Sequence, residues 1–191
     1  MRRYSFVTVD VFTSQRFGGN PLAVFPDASG MSDAEMQSLA AEFNLSETTF
    51  VLPPEDAANT ARVRIFNRTT EMAFAGHPSI GTAYVMARSG LAVGDNLRLE
   101  VPAGIVAVEL ERDAKGEVSG GKITAPQPLS TGPEFSAELI AQCLCLAPAD
   151  IITRTHAPVL ASMGNPYIFA EIRDDAIGRS GAVLGWTGEL P

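Results

Sequence analysis

The chain has 191 residues, a formal net charge of −8, 46% apolar residues and 19% charged residues. These values are typical of an ordinary globular protein with one large domain or two small ones. The acidic balance, without a basic cluster, argues against a nucleic-acid partner. The sequence contains no run of about 18 apolar residues, so no membrane span is predicted. A strand pattern begins directly after the N-terminus without a signal-peptide pattern, so we expect a cytoplasmic protein.

A capping box marks the clearest helix of the sequence. Ser32 and Glu35 have the spacing at which each side chain caps the backbone of the other. Apolar residues follow at helical spacing, so one face of this helix is expected to be buried. The alternation of apolar residues predicts strands over 4–12, 22–25, 47–52 and 61–66.

A second helix is predicted at a Gly-His-Pro sequence. We place His77 at the N-cap and Pro78 at the first helical position, where its missing N–H has no cost. Gly90 is a natural C-terminal stop. A meander of strands over 97–101, 105–110 and 122–125 follows, then a helix over 136–146 and a strand region over 159–172.

A short internal repeat bears on the domain organisation. Gly19-Asn20-Pro21 recurs as Gly164-Asn165-Pro166, and each copy leads into an apolar strand. Three residues can match through turn chemistry alone. With similar strands following, we interpret the repeat as a duplicated α+β unit. The predicted domains are 1–115 and a partial second domain over 116–191.

Glu47 is the leading candidate for a general acid or base. It begins a strand beside Ser46, Thr48 and Thr49, whose hydroxyl groups can orient a carboxylate by hydrogen bonding. The alternative is a surface carboxylate at a loop–strand junction. The residue pattern by itself leaves both interpretations open.

The predicted helix start at His77 offers a second group of candidates. His77 either positions a substrate group and passes protons, or only caps the helix. The backbone N–H groups of this helix start form a site for a carboxylate or a developing enolate. An anionic substrate needs such a local charge, because the global field of an acidic chain repels it.

Other polar residues are expected to be structural. Arg62 and Arg64 alternate with apolar residues on a strand, which indicates a solvated face. Glu71 precedes His77 by too many residues to predict a contact, and His156 lies in a connecting loop. The two cysteines, Cys143 and Cys145, lie in an apolar run and are expected to be buried thiols. Phosphate-loop, dinucleotide and paired-histidine metal motifs are absent from the sequence, so we expect neither a cofactor nor a metal.

An ordered set of motifs resembles one family. The set comprises Val9-Asp10-Val11-Phe12, Phe17-Gly18-Gly19-Asn20-Pro21-Leu22-Ala23-Val24, Asn44-Leu45-Ser46-Glu47-Thr48, Phe74-Ala75-Gly76-His77-Pro78-Ser79-Ile80-Gly81 and Gly164-Asn165-Pro166. It is similar to the phenazine-biosynthesis (PhzF-like) isomerases, which have the diaminopimelate-epimerase-like fold. The resemblance implies two pseudo-symmetric α/β-roll domains, of α+β class, with the active site in the cleft between them.

The resemblance also implies an activity and a set of site residues. It implies a cofactor-independent isomerase in which Glu47 shuttles a proton and His77 lines the site. The family's best-known member isomerises a dihydro-hydroxyanthranilate, so a small anionic substrate is expected. We assign Ser46, Gly76, Pro78 and Ser79 to substrate binding.

The sequence departs from the family pattern in three places. Related racemases carry a cysteine where this chain has Ala75, which disfavours a two-cysteine racemase mechanism. Phe66-Asn67-Arg68 stands where the family has Phe-Thr-Pro. The Asp-Pro-x-Thr-Gly-Ser stretch of the family's second half is absent. We therefore expect a truncated second domain that leaves a sheet edge and an apolar face uncovered, and hence a homodimer. A non-catalytic homologue is the alternative function.

Overall fold

The computed structural model describes residues 2–181, and the chain divides into two compact units, Met1–Pro128 and Leu129–Pro191. Both units combine helices with strands, so the predicted α+β class is confirmed. The division lies beyond the expected boundary at residue 115, because the strand Val118–Thr124 pairs with the sheet of the first unit. The tail over 182–191, in which the second domain was expected to break off, lies outside the described residues.

The first unit contains one mixed sheet and two helices. Its elements are β1 (Val7–Val11), β2 (Asn20–Phe25), α1 (Asp33–Phe43), β3 (Glu47–Leu52), β4 (Ala61–Phe66), β5 (Glu71–Met72), α2 (Gly76–Arg88), β6 (Asn96–Val101), β7 (Gly104–Arg112) and β8 (Val118–Thr124). The strand order is β1-β2-β3-β4-β6-β7-β8, with β5 paired to β4. The pairs β2–β3 and β4–β6 are parallel and the others are antiparallel.

The sheet curves around α2. Strands β1 and β8 lie at opposite ends of the strand order, yet both pack against this helix. Apolar side chains alternate along the strands and enclose the helix in the larger core, as Val63 and Ile65 do on β4. The result is a half-barrel with α2 along its inside. Residues at the start of α2 therefore face the first residues of β2 and β3.

Helix α1 covers the outer face of the same sheet. The predicted capping box is present, with the Ser32 hydroxyl accepting from the Glu35 N–H and the Glu35 carboxylate accepting from the Ser32 N–H at 2.8 Å. Below the helix, Phe25 stacks on Phe50 with ring centroids 4.9 Å apart. This second core fixes α1, and therefore the chain that leaves it for β3.

The start of α2 differs from the sequence prediction. The helix begins at Gly76 with Ala75 as the N-cap, so the predicted N-cap position of His77 is wrong. Pro78 lies in the first turn, where its missing N–H is still tolerated. The correction places His77 inside the helix, with its side chain buried.

The second unit contains short elements. They are β9 (Ser130–Glu134), α3 (Ala137–Cys143), a 3₁₀ turn (Pro148–Asp150), β10 (Ile151–Ile152), β11 (Val159–Ser162), β12 (Pro166–Phe169), β13 (Glu171–Ile172) and α4 (Asp174–Ile177). The expected single strand region over 159–172 is three strands, since Gly164, with a φ of 128°, turns the chain between β11 and β12. Both Gly-Asn-Pro copies thus open a strand that runs antiparallel to the preceding strand.

Two surface features of the second unit bear on the sequence expectations. Strand β12 is the edge of a three-stranded sheet, and Tyr167, Ile168 and Phe169 on it are exposed. The expected association of copies stays a prediction. Cys143 is half-buried, whereas Cys145 is exposed and has a φ of 56°. The prediction that both thiols are buried is therefore wrong for Cys145 and only partly right for Cys143, since both residues follow Ala141, the last buried residue of α3.

Candidate active site

Glu47 owes its position to the end of α1. Asn44 ends this helix in the left-handed conformation, with a φ of 53°, and turns the chain back toward the sheet. Asparagine tolerates that conformation better than most residues. Glu47 then opens β3 beside Leu22 of β2. Its side chain is 16% exposed, so the carboxylate is held largely within the protein.

His77 faces this carboxylate from α2. His77 Nε2 lies 3.2 Å from Glu47 Oε2, and the histidine side chain is only 9% exposed. Among the described residues, neither atom has an aligned hydrogen-bond partner, although both are buried. Buried polar atoms normally have partners, and exceptions cluster at functional sites. The two atoms are therefore the strongest candidates in the first unit for a functional contact.

Asn20 lies on the other side of the imidazole. Its side-chain Nδ2 is 3.0 Å from His77 Nδ1. Ser46 in turn donates its hydroxyl to Asn20 Oδ1 at 2.8 Å and lies 3.3 Å from the Pro21 carbonyl. Ser46, Asn20, His77 and Glu47 form one polar chain across the ends of β2, β3 and α2. We call these four residues the polar relay.

Burial sets the charge of the histidine. Desolvation lowers the pKa of His77 below its ordinary value of 6.5, although the Glu47 carboxylate and the Pro21 carbonyl oppose this effect. The imidazole is therefore neutral at neutral pH. A neutral ring carries one N–H and one acceptor nitrogen, so its two neighbours must play different roles.

The N-terminus of α2, beside the relay, is uncapped. Ala75 makes no side-chain cap bond, and the first turn holds no acidic residue, in contrast to the capped and acidic start of α1. The Ser79 N–H bonds the Ala75 carbonyl at 3.3 Å. The N–H groups of Gly76 and His77 precede it and have no intrahelical acceptor. They and the helix dipole favour an anionic group at this point.

Two contacts hold α2 against the sheet. Gly81 lies so close to β1 and β2 that a Cβ there would be 2.6 Å from Leu22 Cδ2 and 2.8 Å from Val11 Cγ2. One turn of helix separates Gly81 from His77. The hydroxyls of Thr49 and Thr82, both fully buried, are 2.8 Å apart. These contacts bring the start of α2 within reach of Asn20 and Glu47.

The structure thus brings some of the predicted site residues together and places the others differently. Ser46, Glu47 and His77 join through Asn20, and Gly76 opens α2. Pro78 is buried in the first turn, and the buried Ser79 hydroxyl donates to the Ala75 carbonyl at 2.8 Å. The assignment of these residues to substrate binding stays a prediction.

The hydroxyl groups next to Glu47 do not have the role expected from the sequence. Ser46 bonds Asn20 and Thr49 pairs with Thr82, so these hydroxyls orient other groups. Thr48 Oγ1 is buried without a hydrogen-bond partner among the described residues. The orientation of Glu47 therefore depends on α2 rather than on its sequence neighbours.

Glu71 and the two strand arginines lie outside this site. Arg64 pairs with Glu71 through two bonds of 2.7 and 2.6 Å and also contacts Asp33. Arg64 and Arg62, with Glu71, line a separate cavity of about 590 Å³. Since these charges are matched within the protein, the cavity is a weaker candidate than the relay. His156 is exposed in a loop of the second unit.

Asn20 is the site residue that sequence reasoning missed. Asn20 belongs to the Gly-Asn-Pro repeat and to a family motif, but neither pattern gives its side chain a role in the site. Because asparagine is common in turns, its presence at this position gives no reason to expect a second role. Its contact with His77 bridges 57 positions of sequence, which no local pattern reveals.

Within residues 2–181, no helix has both the length and the apolar character needed to cross a membrane. In the same range, no group of three or more histidine, cysteine, aspartate or glutamate side chains is arranged to hold a metal ion.

Comparison with known proteins identifies a consistent set of relatives. The family model described as phenazine biosynthesis-like protein matches residues 9–177. An uncharacterised isomerase of Mesorhizobium japonicum is 38% identical over 182 residues, which are 94% of this chain and 60% of that protein. The trans-2,3-dihydro-3-hydroxyanthranilate isomerase of Pseudomonas fluorescens is 42% identical over 139 residues, which are 72% of this chain and 48% of the enzyme.

A solved structure extends the similarity to three dimensions. A predicted epimerase of Pseudomonas aeruginosa superimposes with a TM-score of 0.82 at 30% identity, over 95% of this chain and 64% of the other. The diaminopimelate-epimerase-like fold expected from the sequence is confirmed. The chain spans about half to two thirds of the length of these three proteins.

Proposed function

We propose that this chain, which belongs to the phenazine biosynthesis-like protein family, acts as an isomerase that moves a proton between carbon atoms of a small anionic substrate. The contact between Glu47 and His77 carries the proposal. A largely buried carboxylate meets a buried imidazole at 3.2 Å, beside an uncapped helix N-terminus. A proton-transfer group next to an anion site is the arrangement that such a reaction needs.

Glu47 is the proposed catalytic base and acid. Its carboxylate forms an O–H bond with a substrate proton while the C–H bond breaks, and the electron pair stays on the substrate. An adjacent unsaturated group delocalises this pair. The Glu47 carboxyl then exchanges its proton with water and protonates another carbon of the substrate, so the carboxylate and the substrate regain their original charges. The step needs no electron carrier, because no electron leaves the substrate.

The start of α2 is the proposed anion site. A substrate carboxylate there accepts from the N–H groups of Gly76 and His77. The charge that develops after proton removal is stabilised by the same donors and by the helix dipole. We propose a small, cyclic amino-acid-like or hydroxy-acid-like substrate, supported by the activity of the Pseudomonas fluorescens relative. A phenazine-type or related biosynthetic pathway is the corresponding proposal for its role.

Deuterium incorporation in heavy water tests the proposal. The purified chain is incubated with trans-2,3-dihydro-3-hydroxyanthranilate and a panel of cyclic and β-hydroxy amino acids, and uptake is followed by mass spectrometry. We expect uptake by the wild type and a loss of at least about a hundredfold in Glu47→Gln, since general acid–base groups contribute about 10²–10⁴-fold. Glu42→Gln, at an exposed position of α1, is the matched control and keeps wild-type uptake.

The outcomes separate two parts of the proposal. Equal uptake in Glu47→Gln and the wild type would refute the role of Glu47. No uptake from a folded wild-type sample across the whole panel would refute activity of this chain on that substrate class. A folded state is established for each sample by circular dichroism before the exchange is measured.

A further inference from the structure

Asn20 occupies a position that the proposed proton transfer does not itself explain. Its amide lies between the hydroxyl of Ser46 and the imidazole of His77, with both contacts at hydrogen-bond distance. It also opens β2 directly after the turn that leaves β1. Asn20 therefore connects the start of β2 and Ser46, just before β3, to His77 of α2.

The hydrogen bonds around Asn20 have a definite direction. Ser46 donates its hydroxyl proton to Asn20 Oδ1, so this oxygen is the amide's acceptor end. The opposite end, Nδ2, carries only protons and faces His77 Nδ1 at 3.0 Å. This orientation makes Nδ1 the acceptor nitrogen of the neutral ring and puts the ring proton on Nε2, with the Pro21 carbonyl as a competing acceptor for the Ser46 hydroxyl at 3.3 Å.

The reversed amide gives a poorer arrangement. It would put the ring proton on Nδ1 and leave the lone pair of His77 Nε2 facing Glu47 Oε2 at 3.2 Å. Two acceptors would then meet in a buried site with no proton between them, which is costly at low dielectric. With the proton on Nε2, a donor instead of a lone pair lies 3.2 Å from Glu47 Oε2, although the N–H is not aligned with that oxygen as a hydrogen bond.

We infer that Asn20 is a positioning residue that fixes His77 in the Nε2–H tautomer, with Ser46 setting the orientation of the amide. His77 thereby places a proton, and not a lone pair, beside the Glu47 carboxylate, which a small rotation of either side chain turns into a hydrogen bond. The inference rests on the proposed function for its consequence in catalysis. The tautomer itself is a property of the free protein.

Nitrogen-15 NMR of the imidazole rings tests the inference directly. Protonated and unprotonated ring nitrogens have well-separated shifts, and the chain has only two histidines. The His156→Gln variant leaves the His77 signals alone in the spectrum and so assigns them. At a pH where the ring is neutral, we expect a protonated Nε2 and an unprotonated Nδ1. A protonated Nδ1 in the neutral wild-type ring would overturn the inference.

The Asn20→Asp variant changes the direction of the bond with almost no change in shape. A carboxylate can only accept from Nδ1, so His77 should gain an Nδ1 proton, as the other tautomer or as imidazolium. Asn96→Asp, at an exposed position of β6, adds the same charge and should leave the His77 signals unchanged. An unaltered His77 spectrum in folded Asn20→Asp would also overturn the inference.

Two further measurements test the roles of Asn20 and Ser46 if one of the variants folds poorly. Ser46→Ala removes the group that orients the amide and should mix the two tautomers, whereas a single unchanged tautomer contradicts the role given to Ser46. Deuterium uptake by Asn20→Asp should fall by at least about tenfold, by analogy with the hydrogen-bond partners that orient metal-ligating histidines. Because the NMR result does not depend on turnover, it stands even if the proposed isomerase activity fails.

Discussion

The close approach of α2 to β1 and β2 leads to a quantitative prediction for Gly81→Ala. In an exposed helix, alanine would stabilise this position by about 1 kcal/mol relative to glycine. Here the added methyl group meets Leu22 Cδ2 at 2.6 Å and Val11 Cγ2 at 2.8 Å. Leu22 is fully buried, and Val11 is β-branched and therefore stiff. Overpacking of this kind costs about 1–3 kcal/mol.

We expect the packing cost to exceed the gain in helix propensity. The double contact favours the upper part of the range, so the net loss in the free energy of unfolding is about 1–2 kcal/mol. For a chain of this size, this loss lowers the melting temperature by roughly 2–8 °C. Because His77 lies one turn away, displacement of α2 also weakens its contact with Asn20. Deuterium uptake should therefore fall together with stability.

Urea unfolding followed by circular dichroism measures the effect, and two controls isolate its cause. Ala41→Gly, at an exposed position of α1, gives the helix-propensity contribution in this protein. Leu22→Val shortens the side chain that is contacted, so Gly81→Ala should cost less in that background, with a coupling of at least about 0.5 kcal/mol. A stabilised Gly81→Ala variant would refute the reasoning, and so would a coupling of zero.

Two further predictions concern the buried polar groups of the site. Burial holds the pKa of His77 below its ordinary value of 6.5, so the unfolded chain binds a proton at this imidazole more readily than the folded chain does. The stability that the neutral ring contributes is therefore lost as the pH falls below about 6.5. Chemical unfolding between about pH 7 and pH 5 should show a weaker pH dependence in His77→Gln than in the wild type or His156→Gln, and parallel curves would contradict this. Thr49→Val should cost about 1–3 kcal/mol because it leaves the Thr82 hydroxyl buried and unbonded, whereas exchanging both threonines for valine should cost much less. Equal losses in the single and double variants, measured by urea unfolding, would count against this hydrogen bond.

The comparison of sequence and structure is clearest at α1 and α2. The capping box of α1 was predicted correctly, because a cap depends on residues three positions apart. The N-cap of α2 was misplaced at His77, because a Gly-His-Pro sequence permits a helix start at more than one residue. The N-cap position of Ala75 places His77 and Pro78 within the first turn of α2, where both are buried.

The sequence by itself determined which residues could carry proton chemistry and where several strands lie. The strands Glu47–Leu52 and Ala61–Phe66 have the predicted bounds, because alternation and local turn residues set them. The family motifs also identified Glu47 and His77 as candidates. These conclusions depend on residue types and spacings within short segments, and such information is present in the chain before it folds.

Only the tertiary structure decided how those residues act together. The 3.2 Å contact between Glu47 and His77, and the role of Asn20, arise from packing α2 against β2 and β3. That packing depends on the missing side chain at Gly81, which lets two distant segments approach. No local pattern contains a distance between segments, because such a distance is fixed by the volume of the side chains that fill the core.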